Sequence, residues 1–511
     1  MVVEIDGSTL TIEKVHEVAR KHAKVRLSRK ARNAVLKCRQ TVEDLVREGH
    51  LIYGVTTGIG ELARVRVSRE MSEELQKRIV YSHSAGVGDF FKEDEVRAAM
   101  LLRANVLAKG FSAVRLSTLE TLIEMINRNV VPVINEKGSV GTSGDLSPLS
   151  QMAEVVMGTG RAFYKGKMMS GKRALEKAGL KPVKLSYKEG LGLINGSQMF
   201  TGCGALRLYD AIRVTKSAMI ASAMSADALR TPLRGYDKRV HAVRPFNGQN
   251  VVAQNLRKLL KGSKLAGTGK KVQDAYSLRC IPQVYGPSVD ALHYVRAQIE
   301  TEMNSAADNP LFFARDREQI ACGNFHGQPV AMALDLLAIA MSEVGGLSER
   351  HINRLMNPNL NLDLPGFLVK RGGLNSGLMV AHYTAASLCS ENKLLAHPAV
   401  VDNFSMAADQ EDHVCMGPIG ARKLKEIIWN VIHILAVEMM SAAQAFDFLG
   451  GTPGAGSASA YREIRKVVKP LKNDRVLYPD IQAIARKIAD LDILNAVEKK
   501  VGELSLVWRK R

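Results

Sequence analysis

The sequence predicts a mainly α-helical protein, and three observations lead there. Apolar residues recur at helical spacing along most of the 511-residue chain, whereas strand signals are few. Past residue 200 the apolar repeats lengthen into stretches that suit a bundle of long helices. No repeat of fixed period and no low-complexity tract interrupts them. The organisation expected is an N-terminal domain over residues 1–200, then a long central bundle with C-terminal helices over 201–511, with few short strands.

Taken in order, Ser28 is a good N-cap, and Ala31, Val35, Cys38, Val42 and Leu45 keep heptad-like spacing until Gly49 supplies a stop. Ser117 and Glu120 read as a capping box ahead of Leu122, Ile123 and Ile126. One hairpin is expected between residues 161 and 169, turning at Lys165-Gly166. Farther on, Leu424, Ile428, Val431 and Leu435 form a packing stripe, and residues 332–350 and 383–395 look similar. Residues 261–271 are rich in Gly and Lys and read as an exposed loop.

Composition narrows the function classes. With 46% hydrophobic residues the chain can bury a sizeable core. The N-terminus has no basic segment followed by an apolar run, and no apolar stretch is long enough to span a bilayer without charges, so a cytoplasmic location without a membrane partner is expected. Six scattered cysteines with no CxxC pair read as buried thiols rather than a disulfide framework or zinc site. The net charge of +20 invites a nucleic-acid reading, that of a basic RNA-binding helical protein. Yet the basic residues are spread along the chain, with modest concentrations at 257–271 and 462–511, which suits a solvated surface that draws in an anionic carboxylate substrate. The strings 54–60 and 451–456 are glycine-rich, but neither has GxGxxG spacing within a βαβ unit or a GK[ST] ending.

The chain is organised around Gly141-Thr142-Ser143-Gly144-Asp145-Leu146-Ser147-Pro148-Leu149. Two glycines bracket Thr142 and Ser143, freeing the backbone for a tight turn, while Ser147 as N-cap and Pro148 suit a helix start. Alone, the string reads as a Ser/Gly loop capping a helix. In a compressed turn, however, the Gly144 nitrogen can attack the carbonyl carbon of Thr142 and close a five-membered ring. Loss of water from Ser143 then leaves an exocyclic methylidene. Only a glycine nitrogen is unhindered enough for that attack.

Over almost its whole length the chain resembles the histidine and aromatic amino-acid ammonia-lyases, which make a methylidene-imidazolone (MIO) electrophile from an Ala-Ser-Gly triplet. Thr142 stands here where Ala is usual, outside the ring but able to alter its packing. The resemblance implies the MIO triplet in the N-terminal domain, a homotetramer with each site assembled from three chains, a small amino-acid substrate, and no external cofactor or metal.

It also assigns roles by matching segments. In 51–58, Tyr53 matches the loop tyrosine that removes the β-proton; a phenol's ordinary pKa is too high for that work near neutrality, so a positive environment is expected to depress it. Asn195, in Ile194-Asn195-Gly196, matches the asparagine beside the MIO. In 273–279, Arg279 matches the carboxylate clamp, whose two parallel donors a lysine lacks, with Tyr276 and Gln273 near the prosthetic group. Phe325 matches an aromatic that lines the pocket.

Two places bear on the substrate. Ser82-His83 is the pair of histidine ammonia-lyases, where tyrosine and phenylalanine lyases usually carry His-Leu or Phe-Leu, although some tyrosine aminomutases share Ser-His. Glu411, in Gln410-Glu411-Asp412-His413, resembles the histidine enzymes and is available to bond an imidazole. Asp412 and His413 read as solvated or structural rather than as metal ligands, because consecutive side chains on a helix point in different directions. The reaction implied is the conversion of L-histidine to urocanate and ammonia. A tyrosine or phenylalanine ammonia-lyase and an aromatic amino-acid 2,3-aminomutase stand as alternatives.

Overall fold

Helices dominate the computed structural model, which describes residues 1–507, and the strands within it form four small sheets. The last residues of the basic C-terminal stretch, 508–511, lie outside the described residues. By contact the chain groups into two compact units. The first comprises Met1–Tyr209, Val295–Asp335 and Pro398–Arg422, and the second Asp210–Tyr294, Leu336–His397 and Lys423–Arg511. The first boundary falls inside the helix Gln198–Ala228, and later stretches of sequence return to the first unit.

In the first unit the helix Arg29–Arg47 starts as its sequence dictates. Ser28 Oγ accepts from Ala31 N at 3.1 Å, the five apolar positions are buried, and Gly49 follows the end at φ +81°. The hairpin Arg161–Tyr164 and Lys167–Ser170 turns through Lys165 and Gly166, both with positive φ, the geometry that follows strand twist. The helix Leu116–Asn127 corrects the sequence reading. Ser117 lies inside it, and no capping box forms, because the buried carboxylate of Glu189 takes Arg115 N at 2.9 Å and Thr118 Oγ1 at 2.6 Å. Glu120 pairs instead with Arg32. A long-range acceptor has replaced the local one.

At the centre of this unit the helix Glu93–Ala108 is buried nearly all round, charged groups included. Arg97 is tolerated there because its guanidinium donates to the carbonyls of Val18 at 2.7 Å and Ile126 at 2.9 Å.

In the second unit Leu424, Ile428, Val431 and Leu435 are all buried along the helix Gly417–Leu449, as their spacing predicts. The helix Met379–Leu395 forms where expected but does not bury a comparable stripe. Only Ala381, Ala385 and Asn392 are buried, and Tyr383 and Leu394 are exposed. The 261–271 segment is a mostly exposed loop, anchored by buried Leu265 and by the Ser263 hydroxyl on Asp227.

Two helices among the described residues, Gln328–Met356 and Gly417–Leu449, are long and apolar enough to cross a bilayer by length and hydropathy, although charged residues such as Asp335, Glu343 and Glu438 interrupt them. Most of each apolar window, 67% and 78%, is buried inside the protein, which accounts for the composition without a membrane. The six cysteines are free; Cys38, Cys203 and Cys415 are buried and the other three half-buried.

Candidate active site

Two loops of the first unit meet at a pair of glycines. Gly144, at φ +77°, forms a parallel bridge with Gly196, and a Cβ on Gly144 would lie 2.2 Å from the carbonyl carbon of Gly196. Only glycine permits this approach. Leu146 consequently enters the helix Ser147–Val156 at φ +49°, in the cap position that the sequence reading gave to Ser147. Ser147 is the first helical residue, and its hydroxyl accepts from Ala85 N at 3.3 Å, while Pro148 occupies the first turn as expected.

This contact presents the Ser143 carbonyl oxygen to two donors. Gly196 N donates at 3.2 Å and Asn195 Nδ2 at 3.3 Å. Both are a little longer than the ~2.7–3.1 Å of a tight oxyanion hole, but they converge on one oxygen as such a hole requires. A ring built from residues 142–144 would keep this oxygen, so the donor set fits a group whose carbonyl gains negative charge. The turn is held rigidly behind. Asp145 N donates to Gly196 O at 2.8 Å, and the Asp145 carboxylate accepts Met199 N at 2.6 Å and Phe200 N at 3.3 Å, at the N-terminus of the helix Gln198–Ala228. Burial pushes the Asp145 carboxyl up to about 8, against those two amides and Arg103, which pull it down. Arg103, fully buried, donates to Asn195 O at 2.7 Å and Gln198 Oε1 at 2.6 Å. On the other side the Cys415 thiol donates to Gly141 O at 3.3 Å.

A cavity of about 300 Å³ opens over this turn, and Tyr53, His83, Ser143, Asn195 and Glu411 all line it. Apolar side chains including Ile59, Leu62 and Leu191 complete its wall. Ser143 Oγ donates to Glu411 Oε1 at 3.0 Å, and Glu411 is fixed by a backbone bridge to Met406. His83 Nδ1 lies 2.8 Å from the carbonyl oxygen of Ile79, so Nδ1 carries the proton and Nε2 is left as an acceptor in the neutral ring. Thr142 is buried beside the turn.

Tyr53 corrects a second expectation. Its hydroxyl oxygen accepts from Gly60 N at 2.8 Å, but burial and the nearby Glu411 charge hold the phenol above its ordinary value rather than below it.

The remaining sequence candidates do not line this cavity. Phe325 is half-buried elsewhere in the first unit. Gln273, Tyr276 and Arg279 belong to the second unit. There Gln273 is exposed, Tyr276 is 73% exposed, and the Arg279 guanidinium sits 4.7 Å over the Tyr276 ring. The sequence reading missed the Gly196 N–H as a donor, since Asn195-Gly196 alone says merely "turn"; it also missed buried Arg103, which no local pattern marks.

Comparison with known proteins gives one consistent result. The aromatic amino acid lyase family profile matches residues 10–466. A histidine ammonia-lyase of Alkaliphilus oremlandii is 51% identical over 98% of this chain and 99% of its own. Among solved structures, histidine ammonia-lyase from Trypanosoma cruzi has a TM-score of 0.92 at 38% identity, covering 100% of this chain and 99% of that one. Tyrosine aminomutase from Streptomyces globisporus has a TM-score of 0.93 at 38% identity, covering 98% and 99%. Fold likeness therefore does not separate lyase from aminomutase, but with a profile spanning most of its length the chain belongs to the aromatic amino acid lyase family.

Proposed function

We propose that the protein eliminates ammonia from L-histidine to give trans-urocanate, using an MIO group formed from its own Thr142, Ser143 and Gly144. The observation that carries the substrate is Glu411, a carboxylate in the cavity wall 3.0 Å from Ser143 Oγ. An imidazole N–H that apolar walls would leave unpaired finds an acceptor there. The 51% identity to a protein named histidine ammonia-lyase supports the same substrate.

The MIO group supplies an electrophile for the substrate's amine or ring, which no ordinary side chain offers. The protein's own residues do the rest. Asn195 Nδ2 and Gly196 N bond the Ser143 carbonyl oxygen and stabilise charge that gathers on it. Tyr53 takes the β-proton as its phenolate, a contribution of about 10²- to 10⁴-fold for a well-placed base. His83 flanks the side-chain end of the cavity with Glu411. Arg279 holds the substrate carboxylate with two parallel donors, next to Tyr276 and Gln273, and Phe325 supplies an aromatic face.

The assembly in this reading is a homotetramer in which another copy brings the 273–279 segment to the site. The exposure of Gln273 and Tyr276 in the single chain supports it. The enzyme needs no external cofactor or metal, and it is placed in the cytoplasm, in keeping with six free thiols.

A second reading keeps the MIO group and changes the outcome: an ammonia-lyase for tyrosine or phenylalanine, or an aromatic amino-acid 2,3-aminomutase. Thr142 in place of the usual Ala, and the likeness to a tyrosine aminomutase, favour it. Incubating the purified protein separately with L-histidine, L-tyrosine and L-phenylalanine and identifying the products by mass and chromatography decides between them. Urocanate from histidine alone supports the first; a β-amino acid or a cinnamate-type product overturns it.

A further inference from the structure

In the core of the second unit, His351 is gripped between two acceptors. Its Nδ1 lies 2.7 Å from Glu438 Oε1, and its Nε2 lies 2.7 Å from the carbonyl oxygen of Ser277. The Ser225 hydroxyl donates to Glu438 Oε1 at 2.7 Å and the Ser348 hydroxyl to Oε2 at 2.6 Å. A carboxylate that collects three donors is ionised, and an imidazole that faces an acceptor at each nitrogen carries both protons. His351, Glu438, Ser225 and Ser348 are all fully buried. A buried ion pair of this kind is an expensive way to fill a core, and apolar side chains of similar size pack there at lower cost.

What the pair holds is the backbone of the segment that carries Arg279. The helix Tyr276–Arg279 is a single turn; its C-terminal cap, Cys280 N, reaches the carbonyls of Tyr276 and Leu278 but not that of Ser277. His351 takes the carbonyl of Ser277, and Tyr236 Oη donates to the next, that of Leu278, at 2.7 Å. The preceding Asp274 is tied to Thr231 Oγ1 at 3.0 Å and Lys271 Nζ at 3.2 Å. The orientation of the turn is thus set by buried side chains rather than by helix length.

We propose that His351, braced by Glu438, is a positioning residue that sets the Tyr276–Arg279 turn, and through it the Arg279 guanidinium, for the carboxylate of the amino-acid substrate. The proposal rests on the reading of Arg279 given above. It implies a pH dependence with a definite sign. The charged groups acting on the ring are Glu438 and Arg354, which lies 3.8 Å from Asp274; the Tyr285 phenol, raised by burial and by Glu438, senses the same carboxylate. Burial disfavours charge on His351, but Glu438 and the Ser277 carbonyl outweigh it, with Arg354 opposing, so the ring titrates above an ordinary histidine. A neutral ring has one proton for two acceptors. The carboxylate keeps it, and the Ser277 carbonyl loses its donor. Carboxylate binding is therefore complete below the ordinary histidine pKa and declines as pH rises through the raised value.

The test compares two ligands of the full-length enzyme, urocanate and 4-vinylimidazole, which differ by the carboxylate alone. His351→Gln is expected to weaken urocanate about tenfold, leave vinylimidazole within about twofold, and raise KM with little change in kcat. Combined with Arg279→Ala, it should add little to the loss from Arg279→Ala alone, since the two act on one contact. If Arg279→Ala itself leaves urocanate binding unchanged, the Arg279 reading falls and this proposal with it. If Arg279→Ala weakens urocanate while His351→Gln does not, or weakens both ligands equally, this proposal alone is overturned. Should His351→Gln not fold, the parent enzyme decides: the ratio of urocanate to vinylimidazole affinity must fall as the pH is raised from below the ordinary histidine range to well above it, and a flat ratio overturns the proposal.

Discussion

Gly144 and Gly196 approach so closely that a Cβ on Gly144 would lie 2.2 Å from both the carbonyl carbon and the carbonyl oxygen of Gly196. Gly144 is thus needed twice, for an unhindered nitrogen and for this contact. Gly196 has its own constraint: at φ +139° an added Cβ would meet Ala307 O at 2.5 Å and Arg103 Nη1 at 2.8 Å. Gly196→Ala should therefore cost at least ~1 kcal/mol of stability and shift the donors on the Ser143 carbonyl. Thermal unfolding reads the first effect. Intact mass reads the second, as a fraction of protein left at its encoded mass.

In the parent protein the intact mass should be lower than the encoded mass by two waters, one from ring closure and one from the Ser143 hydroxyl. Ser143→Ala cannot form the methylidene, so at most one water is lost and turnover falls severely. Its circular dichroism should match the parent, because the Ser143 side chain contacts Glu411 and carries no part of the helix packing. An active parent protein at its full encoded mass would rule out the MIO assignment.

Sequence made much of this arrangement legible where the determinant is local. Ser28 caps its helix and Lys165-Gly166 turns its hairpin, because the partner of each lies a few residues away. The Ser117 and Glu120 box failed for the opposite reason. Glu189, distant in sequence, is a buried carboxylate whose own need for donors is met by Arg115 and Thr118. The site divides the same way. The family resemblance named Tyr53, His83, Ser143, Asn195 and Glu411, and these line one cavity. Yet the Gly196 amide and the Arg103 brace are backbone and long-range features, which no spacing rule encodes. Tyr53 shows a further limit, since the sign of its shift depends on which charges surround the phenol.

That sign gives a pH prediction. Burial and Glu411 raise the Tyr53 phenol while the Gly60 amide lowers it, so near neutrality only a small fraction is phenolate in the single chain. A base acts when deprotonated, and so kcat/KM should climb with pH from neutral into the alkaline range until the phenol is fully ionised. Removing the Glu411 charge removes one of the raising influences. Glu411→Gln should accordingly move the rising limb to lower pH, as read from a kcat/KM profile on any substrate the variant still converts. An unmoved limb, or one moved upward, would show that the titrating base does not sense Glu411.

Specificity is the most demanding test, because the rival readings share every other feature. Glu411 presents a carboxylate to the cavity, and His83, with Nδ1 committed to Ile79 O, presents Nε2 as a second acceptor. A ring N–H is satisfied by such groups, whereas an apolar wall would leave it unpaired at a cost of about 1–3 kcal/mol. That range corresponds to about 5- to 150-fold in preference, so the parent enzyme should clearly favour L-histidine over L-phenylalanine. Glu411→Gln replaces a pure acceptor with a group that also donates, and should lower histidine turnover more than any residual tyrosine turnover. Exchanging Ser82-His83 for His-Leu deletes the His83 acceptor and should move preference toward tyrosine. Competition assays with paired substrates measure both shifts. A parent enzyme that prefers tyrosine or phenylalanine, or returns a β-amino acid from either, would overturn histidine as the substrate while leaving the Thr142-Ser143-Gly144 chemistry in place.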